Sequence, residues 1–520
     1  MSLLKLIKNV NSTTKTSKLL NDETSKLLRF TFAESIDHPI NISIIDNAIA
    51  LQLGGDLIYK KKYRDILIEA IRGDDLKSLG YENSLEAKND FNSDIDKFFE
   101  IFKIEESYRK LTTEDDRTGI ELIFPKYGDL VKINPYPHDY QKRLKKQLTL
   151  KLFNGFRPAI LATMPTGGGK TVLALEIVVD IFRVEEELKN KTNHLLWIVD
   201  SKELCEQSLQ SFKKIWLQRG DHPIIIQRYF DKFNKIEVNE NISSITFATF
   251  DLITSRITNT DIADFISKIS LMIIDEAHSS NASTYREVFE KYRDFNPEYR
   301  ILGLTATPYR NDDSVIDTLR NMFNEVISIT NDNNDIETSP IDFLTNKGYL
   351  AQINFQILKN EESIIKTMNY YKTLHLSVIE NCKRLIEKKH NTIIFAESKS
   401  HAIALSILLT KNNIKNGLIV GETPNIIRKD LIEKFGDKEN ELQVLINHQI
   451  LSTGIDVPGM NSIMILGEIN SPTLALQIIG RAMRGPKNGG NEINTIYLTS
   501  RNRKKLEDYK ILEHIVLNNN

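Results

Sequence analysis

The chain has 520 residues, of which 41% are hydrophobic and 27% are charged. This length allows roughly three domains with cores of their own, and the composition excludes a disordered or fibrous chain. Because the formal net charge is -2, any nucleic-acid-binding surface has to be a local groove and not a property of the whole chain.

Cysteine usage indicates a reducing compartment, and hydropathy gives no sign of a membrane-spanning segment. Cys205 and Cys382 are far apart and lack metal-ligand spacing, which argues against a disulfide framework or a zinc site. The N-terminal stretch does not resemble a signal peptide, and no apolar run is long enough for a transmembrane helix. We therefore expect a cytoplasmic protein without membrane contact. Usage rich in Ile, Lys and Asn is typical of AT-rich genomes, so a bacterial or viral origin is favoured.

Residues 1–130 are rich in Lys, Asp, Asn and Ser, with apolar residues at helical spacing in Tyr63–Ile71 and Ile95–Ile104. They predict a mainly helical accessory domain of unknown role, which we expect to be the docking site for any protein partner. Glu86 and Lys88 stand in the Glu-x-Lys order of some metal-dependent nucleases. No strand pattern surrounds them, so a solvated helix face is the favoured interpretation.

Short, nearly continuous apolar runs alternate with amphipathic stretches between residues 131 and 330. Such runs predict buried strands of a parallel sheet covered on both faces, and Lys202–Leu217 between two of them has helical periodicity. The pattern predicts a doubly wound α/β domain. The predicted strands are Ala159–Met164, Leu195–Val199, Ile224–Gln227, Ile245–Ala248, Leu271–Ile274 and Ile301–Leu304.

A glycine-rich loop follows the first of these strands and leads into a helical segment. Glycines let backbone N–H groups converge on a phosphate, and the helix N-terminus adds partial positive charge. Lys170 would reach the β- and γ-phosphates of ATP, and Thr171 would offer its hydroxyl to Mg²⁺. Met164 departs from the pattern G-x-x-x-x-G-K-[ST], in which its position is glycine. The loop residues are Pro165, Thr166, Gly167, Gly168, Gly169, Lys170 and Thr171.

Two adjacent acids, Asp275 and Glu276, directly follow the predicted strand Leu271–Ile274, and His278 lies two residues further on. In α/β sheets, ligands bind at the carboxyl ends of the strands. Asp275 is suited to hold Mg²⁺ through its water shell, and Glu276 is suited to orient and deprotonate an attacking water. Together with Lys170, this pair predicts ATP hydrolysis.

Asn331–Ser339 is polar and has no strand or helix pattern, so residues 331–345 are predicted to be a linker. The alternation then resumes, which predicts a second α/β domain over residues 346–505, followed by a tail over residues 506–520. The predicted elements of this domain are the strands Thr392–Ala396, Gly417–Val420, Val444–Asn447, Ile463–Leu466 and Ile493–Leu498 and the helices Lys399–Leu409 and Leu474–Met483.

With these motifs in this order, residues 135–500 resemble superfamily 2 helicases and translocases with a DEAH box, on the RecG, excision-repair and restriction-translocase side. The resemblance implies two tandem RecA-like domains. It also implies that Tyr140 and Gln141 read adenine, and that Lys202–Gln207 and Thr246–Phe250, including Thr249, touch the nucleic-acid backbone.

Three further segments match the family. The segment Thr305-Ala306-Thr307-Pro308 matches the one that couples ATP hydrolysis to strand movement. The segment that includes Thr453, Gly454 and Asp456 matches one that contacts nucleotide and nucleic acid. The residues Gln477, Gly480, Arg481 and Arg484 match the motif Q-x-x-G-R-x-x-R.

Arg481 and Arg484 also have a direct physical interpretation. Residues three apart share one face of a helix. Two guanidinium groups presented together can stabilise the charge that develops on a γ-phosphate. Because these arginines lie in the second domain, the resemblance implies that domain closure completes the catalytic shell.

The sequence therefore predicts a nucleic-acid-stimulated ATP hydrolase of the helicase or translocase type, with ATP and Mg²⁺ as cofactors. DNA is favoured over RNA because Tyr309 and Arg310 follow the coupling segment, as in the DNA-acting relatives. Three alternatives stay open: an RNA helicase, an ATP-gated nucleic-acid-binding switch, and the motor subunit of a restriction or defence complex.

Overall fold

The computed structural model describes residues 7, 19–32, 42–53, 56–102, 118–125, 138–189, 192–277, 282–306, 319, 321–329, 339–359, 367–421, 423–437, 442–448, 457, 459–509 and 511–512. The chain forms two compact units. The first unit is Thr112–Leu350, and the second unit combines Met1–Leu111 with Ala351–Asn520.

The N-terminal region is helical, as predicted. Its helices are α1 (Asp22–Phe32), α2 (Ile42–Leu53), α3 (Asp56–Tyr59), α4 (Lys61–Glu69), α5 (Gly73–Ser78), α6 (Ser84–Ser93) and α7 (Ile95–Phe102). Phe91 of α6 and Phe98 and Phe102 of α7 are fully buried and form a cluster with ring centroids 4.6–5.5 Å apart. The apolar periodicity of α7 is therefore explained by this cluster.

Glu86 and Lys88 both make structural contacts within the helical region. The Glu86 carboxylate accepts a hydrogen bond from the backbone N–H of Glu82 at 2.8 Å. The Lys88 ammonium pairs with Glu69 of α4. These contacts favour the interpretation of this segment as a helix face over a nuclease motif.

The first unit is built on a sheet flanked by helices. The strands are β1 (Ile120–Ile123), β2 (Ala159–Thr163), β3 (His194–Val199), β4 (Ile224–Tyr229), β5 (Ser244–Thr249), β6 (Ile269–Ile274), β7 (Ile301–Thr305) and β8 (Glu325–Ser328), and the helices are α8 (Asp139–Asn154), α9 (Lys170–Lys189), α10 (Lys202–Arg219), α11 (Phe250–Arg256), α12 (Thr260–Ser267), α13 (Ala282–Phe295) and α14 (Pro340–Asn346). The strand order is β1-β4-β5-β3-β6-β7-β2-β8, and only β1 is antiparallel among the described pairings.

Every strand predicted in this unit is present. All residues of β2 and β3 are buried, as expected for parallel strands covered on both faces. Strand β1 lies before residue 131, where the domain was expected to begin, and pairs with β4. The buried Glu121 of β1 accepts a hydrogen bond from Arg228 of β4 at 2.6 Å, and this ion pair fastens the strand to the sheet.

Helix α14 (Pro340–Asn346) overlaps residues 331–345, which were predicted to be a linker. Ser339 caps it by accepting a hydrogen bond from the backbone N–H of Asp342 at 3.2 Å, and Pro340 occupies its first turn. Gly348, with a φ of 74°, follows its end. These three signals specify a short helix that apolar periodicity alone does not reveal, and residues 330–338 lie outside the described part of the chain.

The second unit contains the other α/β domain. Its strands are β9 (Gln352–Ile357), β10 (Asn391–Phe395), β11 (Asn416–Ile419), β12 (Val444–Asn447), β13 (Met460–Ile465) and β14 (Ile493–Leu498), and its helices are α15 (Met368–Glu387), α16 (Lys399–Lys411), α17 (Asn425–Gly436), α18 (Pro472–Ala482) and α19 (Ser500–Asp508). The sheet is parallel in the order β11-β12-β10-β13-β14-β9. Both α/β domains therefore have the doubly wound, RecA-like arrangement that the sequence predicts.

The N-terminal helices share a core with this second α/β domain. Helices α1 and α2 pack against α16, and α1 also packs against α15. One continuous cluster of buried apolar residues extends from Leu28 of α1 through Leu405 of α16 to Ile446 of β12. In the part of the chain that the structure describes, no helix combines the length and hydropathy needed to cross a membrane.

Candidate active site

The glycine-rich loop connects β2 to α9. Gly167 and Gly169 have φ values of 82° and 81°, which residues with a Cβ rarely adopt. A Cβ on Gly169 would also lie 2.5 Å from Nε2 of Gln141. Met164, which replaces the first glycine of the motif, is buried, and its side chain packs beneath Gly168. The loop is therefore a tight turn whose backbone strongly favours glycine at Gly167 and Gly169.

The two predicted catalytic motifs meet beside this loop. The hydroxyl of Thr171 donates to Oδ2 of Asp275 at 3.1 Å. Nζ of Lys170 lies 3.9 Å from Oε1 of Glu276. Parallel strands β2 and β6 end at the same edge of the sheet, so residues 104 positions apart in the chain come into hydrogen-bonding contact.

Backbone hydrogen bonds hold the two acids in place. The N–H of Asp275 donates to the carbonyl of Ile198 in β3 at 3.0 Å, and the N–H of Ala277 donates to the carbonyl of Leu304 in β7 at 2.8 Å. Glu276, between these anchors, has a left-handed φ of 52°. Such a conformation costs roughly 1–3 kcal/mol in a residue other than glycine and is often associated with functional sites.

The electrostatics of the site favour a bound cation. Burial and the neighbouring Glu276 carboxylate raise the pKa of Asp275 to about 7, and the Lys170 ammonium opposes this shift. A divalent cation next to Asp275 would offset the cost of burying its charge. The carboxylate and hydroxyl oxygens of Asp275 and Thr171 are ligands that suit Mg²⁺.

Tyr140 and Gln141, at the start of α8, both contact the glycine-rich loop. The Tyr140 hydroxyl donates to the carbonyl of Gly168 at 2.8 Å, and Nε2 of Gln141 donates to the same oxygen at 3.1 Å. Oε1 of Gln141 accepts from the backbone N–H of His138 at 2.8 Å. Both side chains are therefore engaged with the protein, and adenine recognition by them stays a prediction.

Two other aromatic side chains near the loop are not among the residues that the sequence predicts. The ring of Tyr349 lies edge-on to Tyr140 with centroids 4.7 Å apart, and it lies 4.6 Å from the ring of His138. His138 could have been noticed as the residue that precedes α8. No local pattern predicts the contact of Tyr349, because 209 positions separate it from Tyr140 in the chain, and only the helix-ending glycine before it draws attention to this residue.

The segment that is predicted to couple hydrolysis to strand movement begins at Thr305 and is connected through the sheet to the glycine-rich loop. Thr305, the last residue of β7, is fully buried, and its carbonyl accepts from the N–H of Met164 at 3.1 Å. Ala306 is half-buried. The predicted site residues that lie outside the described part of the chain are His278, Thr307, Thr453, Gly454 and Asp456.

The residues expected to touch nucleic acid differ in exposure. Thr249 is half-buried at the carboxyl end of β5, and Lys202 is exposed at the start of α10. Thr246, in contrast, is fully buried and accepts a hydrogen bond from Gln227 at 3.3 Å. Within the expected range Thr246–Phe250, Thr249 is therefore a half-buried candidate for a backbone contact, whereas Thr246 belongs to the core.

The prediction that Arg481 and Arg484 share one helix face is wrong. Helix α18 ends at Ala482, and Met483 is its C-cap. Pro486 further prevents the helix from continuing through Gly485, since proline disfavours a helical conformation in the residue before it. Gln477 and Arg481 are four residues apart within α18, so this pair shares a face. Burial lowers the pKa of Arg484.

Two family models match the chain. Residues 134–310 match the type III restriction enzyme, res subunit, and residues 377–486 match the helicase conserved C-terminal domain. The first range contains the phosphate loop with both acids, and the second contains Gln477 and Arg481. The chain belongs to the superfamily 2 helicases.

This helicase is similar to several known proteins. It is 25% identical over 368 residues to the provisionally named ATP-dependent helicase IRC3 of Saccharomyces cerevisiae, with 67% of this chain and 50% of that protein covered. It is 22% identical over 461 residues to the provisionally named ATP-dependent RNA helicase MJ1505 of Methanocaldococcus jannaschii, with 67% and 57% covered. The chain thus spans about half the length of the curated relatives it matches.

A solved structure also resembles the helicase. The fragment of a provisionally assigned HsdR subunit of a type I restriction enzyme from Vibrio vulnificus superimposes with a TM-score of 0.49 at 20% identity. The superposition covers 74% of this chain and 67% of the fragment.

Proposed function

We propose that this helicase hydrolyses ATP and uses the hydrolysis to move along or remodel nucleic acid. The observation that carries the proposal is the convergence of Lys170, Thr171, Asp275 and Glu276 at one edge of the first sheet. A cation for phosphate, an oxygen pair for Mg²⁺ and a carboxylate base are the groups that phosphoryl transfer to water requires.

Each of these side chains has a distinct proposed role. Lys170 binds phosphate oxygens, and the loop amides orient the phosphates at the start of α9. Thr171 and Asp275 would hold Mg²⁺, which neutralises charge on the phosphates when bound. Glu276 accepts a proton from the attacking water, and its constrained backbone keeps the carboxylate aimed.

The remaining roles follow from family membership. Arg481 is proposed as the arginine finger, with Arg484 in support, and Gln477, Gly454 and Asp456 are proposed to contact nucleotide. Residues proposed for coupling or nucleic-acid contact are Thr249, His278, Thr305, Ala306, Thr307 and Thr453. We also propose that the DEAH-box subgroup describes the segment Asp275–His278.

DNA is the favoured polymer. The family model over residues 134–310 is that of a restriction enzyme subunit, and restriction enzymes act on DNA. The residues after the coupling segment, Tyr309 and Arg310, agree with this choice. An RNA helicase is the competing function because one relative, MJ1505, is provisionally named as such.

Two further alternatives differ in mechanism. As an ATP-gated switch, the protein would hydrolyse ATP on nucleic acid without displacing a strand. As the motor subunit of a restriction or defence complex, it would co-purify with a nuclease on another chain, a role that the restriction-type family model also favours.

The test is steady-state ATP hydrolysis with no polymer, single-stranded DNA, duplex DNA, forked DNA and RNA, with Glu276→Gln as the control. Stimulation by DNA supports the proposal, and strand or triplex displacement then separates a motor from a switch. Stimulation by RNA alone would show that RNA, and not DNA, is the polymer on which the protein acts. If Glu276→Gln hydrolyses ATP at the wild-type rate, the proposed assignment of the active site is wrong.

A further inference from the structure

Three aromatic rings connect the phosphate loop with the last residues of the first unit. Tyr140 is 3% exposed, and its hydroxyl donates to the Gly168 carbonyl at 2.8 Å. The edge of the Tyr349 ring packs against Tyr140 at a centroid distance of 4.7 Å. His138 completes the cluster, lying nearly parallel to Tyr140 at 5.8 Å and 4.6 Å from Tyr349. A series of contacts therefore leads from Tyr349 through Tyr140 to the loop.

The end of helix α14 fixes the backbone position of Tyr349. The N–H of Gly348 donates to the carbonyl of Thr345 at 2.9 Å, and the N–H of Tyr349 donates to the carbonyl of Leu344 at 2.9 Å. With Gly348 in the left-handed region, this pattern is a Schellman motif. Leu344 is fully buried, so the motif is anchored in the unit. The backbone of Tyr349 is thus held in place, and its ring packs against Tyr140.

The loop needs such external support. Two of its glycines adopt left-handed conformations, and glycine backbones lose more freedom on ordering than any other residue. The Gly168 carbonyl, which receives both the Tyr140 hydroxyl and the Gln141 amide, is the fixed point against which the loop is held. Removing the ring that confines Tyr140 would let its side chain leave this carbonyl.

We propose that Tyr349 is a positioning residue for phosphate binding, acting through Tyr140 on the loop. The inference rests on the proposed ATPase function and adds a residue from outside the helicase motifs. Tyr349 lies three positions before β9 begins at Gln352. Support for the phosphate loop is therefore carried by the segment that leads from one α/β domain to the other.

The test compares Tyr349→Ala with Tyr349→Phe in the full chain. Tyr349→Ala raises the KM for ATP and the inhibition constant of inorganic tripolyphosphate by the same factor, about three- to tenfold, the size expected for an edge-to-face pair. The kcat stays within about twofold, because the lost support weakens ground state and transition state alike. Tyr349→Phe keeps the ring and retains the wild-type constants.

Phe156→Ala is the matched control. Phe156 is an aromatic residue of the same unit that is 86% exposed and follows the other end of α8. Its removal leaves both constants unchanged. A folding defect in Tyr349→Ala would lower kcat through the active fraction without raising KM, so the KM and kcat pattern separates positioning from stability.

Several outcomes overturn the inference. Unchanged constants in Tyr349→Ala refute it, as does a loss in Tyr349→Phe equal to that in Tyr349→Ala. A rise in the KM for ATP with an unchanged tripolyphosphate constant shows that Tyr349 contacts the base and does not position the loop. If the wild type hydrolyses no ATP with any polymer, the proposed function fails as well. Hydrolysis by the wild type with unchanged constants in Tyr349→Ala refutes this inference alone.

Discussion

Neighbouring backbones control the position of the Glu276 carboxylate. The residues on either side of it donate to strands β3 and β7, and its own N–H donates to Oδ1 of Asp275 at 3.0 Å. Because these hydrogen bonds involve only backbone atoms and Asp275, we expect the backbone of Glu276 to keep its conformation when its side chain is changed. A substitution of Glu276 therefore tests the chemical role of the carboxylate and leaves the position of the side chain largely unchanged.

For Glu276→Gln we expect retained ADP binding and a kcat about 10²- to 10⁴-fold lower, because the amide keeps the shape and cannot accept the proton. Single-turnover hydrolysis with saturating ATP measures the loss directly. Glu298→Gln, which changes an exposed glutamate of the same unit, is the control. Turnover within a few-fold of the wild type would assign the proton transfer to another group.

For Gly169→Ala we expect ADP binding to weaken by at least tenfold. The left-handed φ costs a residue with a Cβ roughly 1–2 kcal/mol, and the new methyl would meet the Gln141 amide. Isothermal titration with ADP checks this. Gly73→Ala, at a helical glycine with open space around it, is the control. Equal affinities would mean that the loop adopts a different conformation when it binds phosphate.

At the scale of elements, helix α1 is joined to the second α/β domain by polar as well as apolar contacts. The hydroxyl of Thr24 donates to the hydroxyl of Ser400 in α16 at 2.8 Å, and both residues are buried. Phe30 of α1 stacks on Tyr371 of α15 with centroids 6.0 Å apart. Specific polar and aromatic pairs of this kind fix the position of α1 along α15 and α16.

Leu28→Ala should destabilise the second unit without affecting the first. Leu28 is fully buried in the shared core, and such truncations cost about 2–5 kcal/mol. Trp197 and Trp216 both lie in the first unit, so tryptophan fluorescence reports that unit, whereas circular dichroism reports both. When unfolding is followed against denaturant concentration, we expect part of the circular dichroism transition to shift to a lower denaturant concentration than in the wild type. The fluorescence transition should stay at the wild-type concentration.

Leu85→Ala is the control for this experiment, since Leu85 belongs to the same unit and is 66% exposed. It should move neither transition. A fluorescence transition that shifts as far as the dichroism transition in Leu28→Ala would contradict the prediction, because the two units would then unfold as one.

At the scale of the whole molecule, two separate segments of the chain form the second unit. Met1–Leu111 belongs to that unit, the chain then forms Thr112–Leu350, and it returns at Ala351. Two connections therefore run between the units, one near residue 111 and one near residue 350. The N-terminal helices are a layer of the second unit, which is a closer association than the expected accessory domain.

Because Arg481 lies in the second unit and the phosphate loop in the first, its role can be tested only in the whole chain. We expect Arg481→Ala to lower kcat about 10³-fold or more with little change in ADP affinity, since an arginine finger acts on transition-state charge. Arg481→Lys should not restore the rate, because an ammonium lacks the planar fork.

Polymer-stimulated hydrolysis at saturating ATP measures both variants. Arg29→Ala, which removes an exposed arginine of the same unit, is the control and should match the wild type. A kcat for Arg481→Ala equal to that of the control would transfer the proposed role to Arg484 or to another residue.

The sequence alone was sufficient for the central strands. Strands such as β3 and β6 are buried on both faces, so their apolar runs are nearly continuous and independent of context. The same local information located the phosphate loop and the two acids, because strand, glycines, lysine and adjacent carboxylates are contiguous motifs. Among the described strands, β1, β8 and β9 were not predicted; each lies at a sheet edge, where one side lacks a neighbour and the pattern is weaker.

Other features were decided only by tertiary structure, because they depend on residues far apart in the chain. The contact of Tyr349 with Tyr140 and the packing of α1 on α16 have no signal within either segment alone. The separation of Arg484 from the face of Arg481 likewise follows from where α18 ends. Local pattern therefore located the motifs on which the proposed chemistry rests, and long-range packing decided which residues surround them.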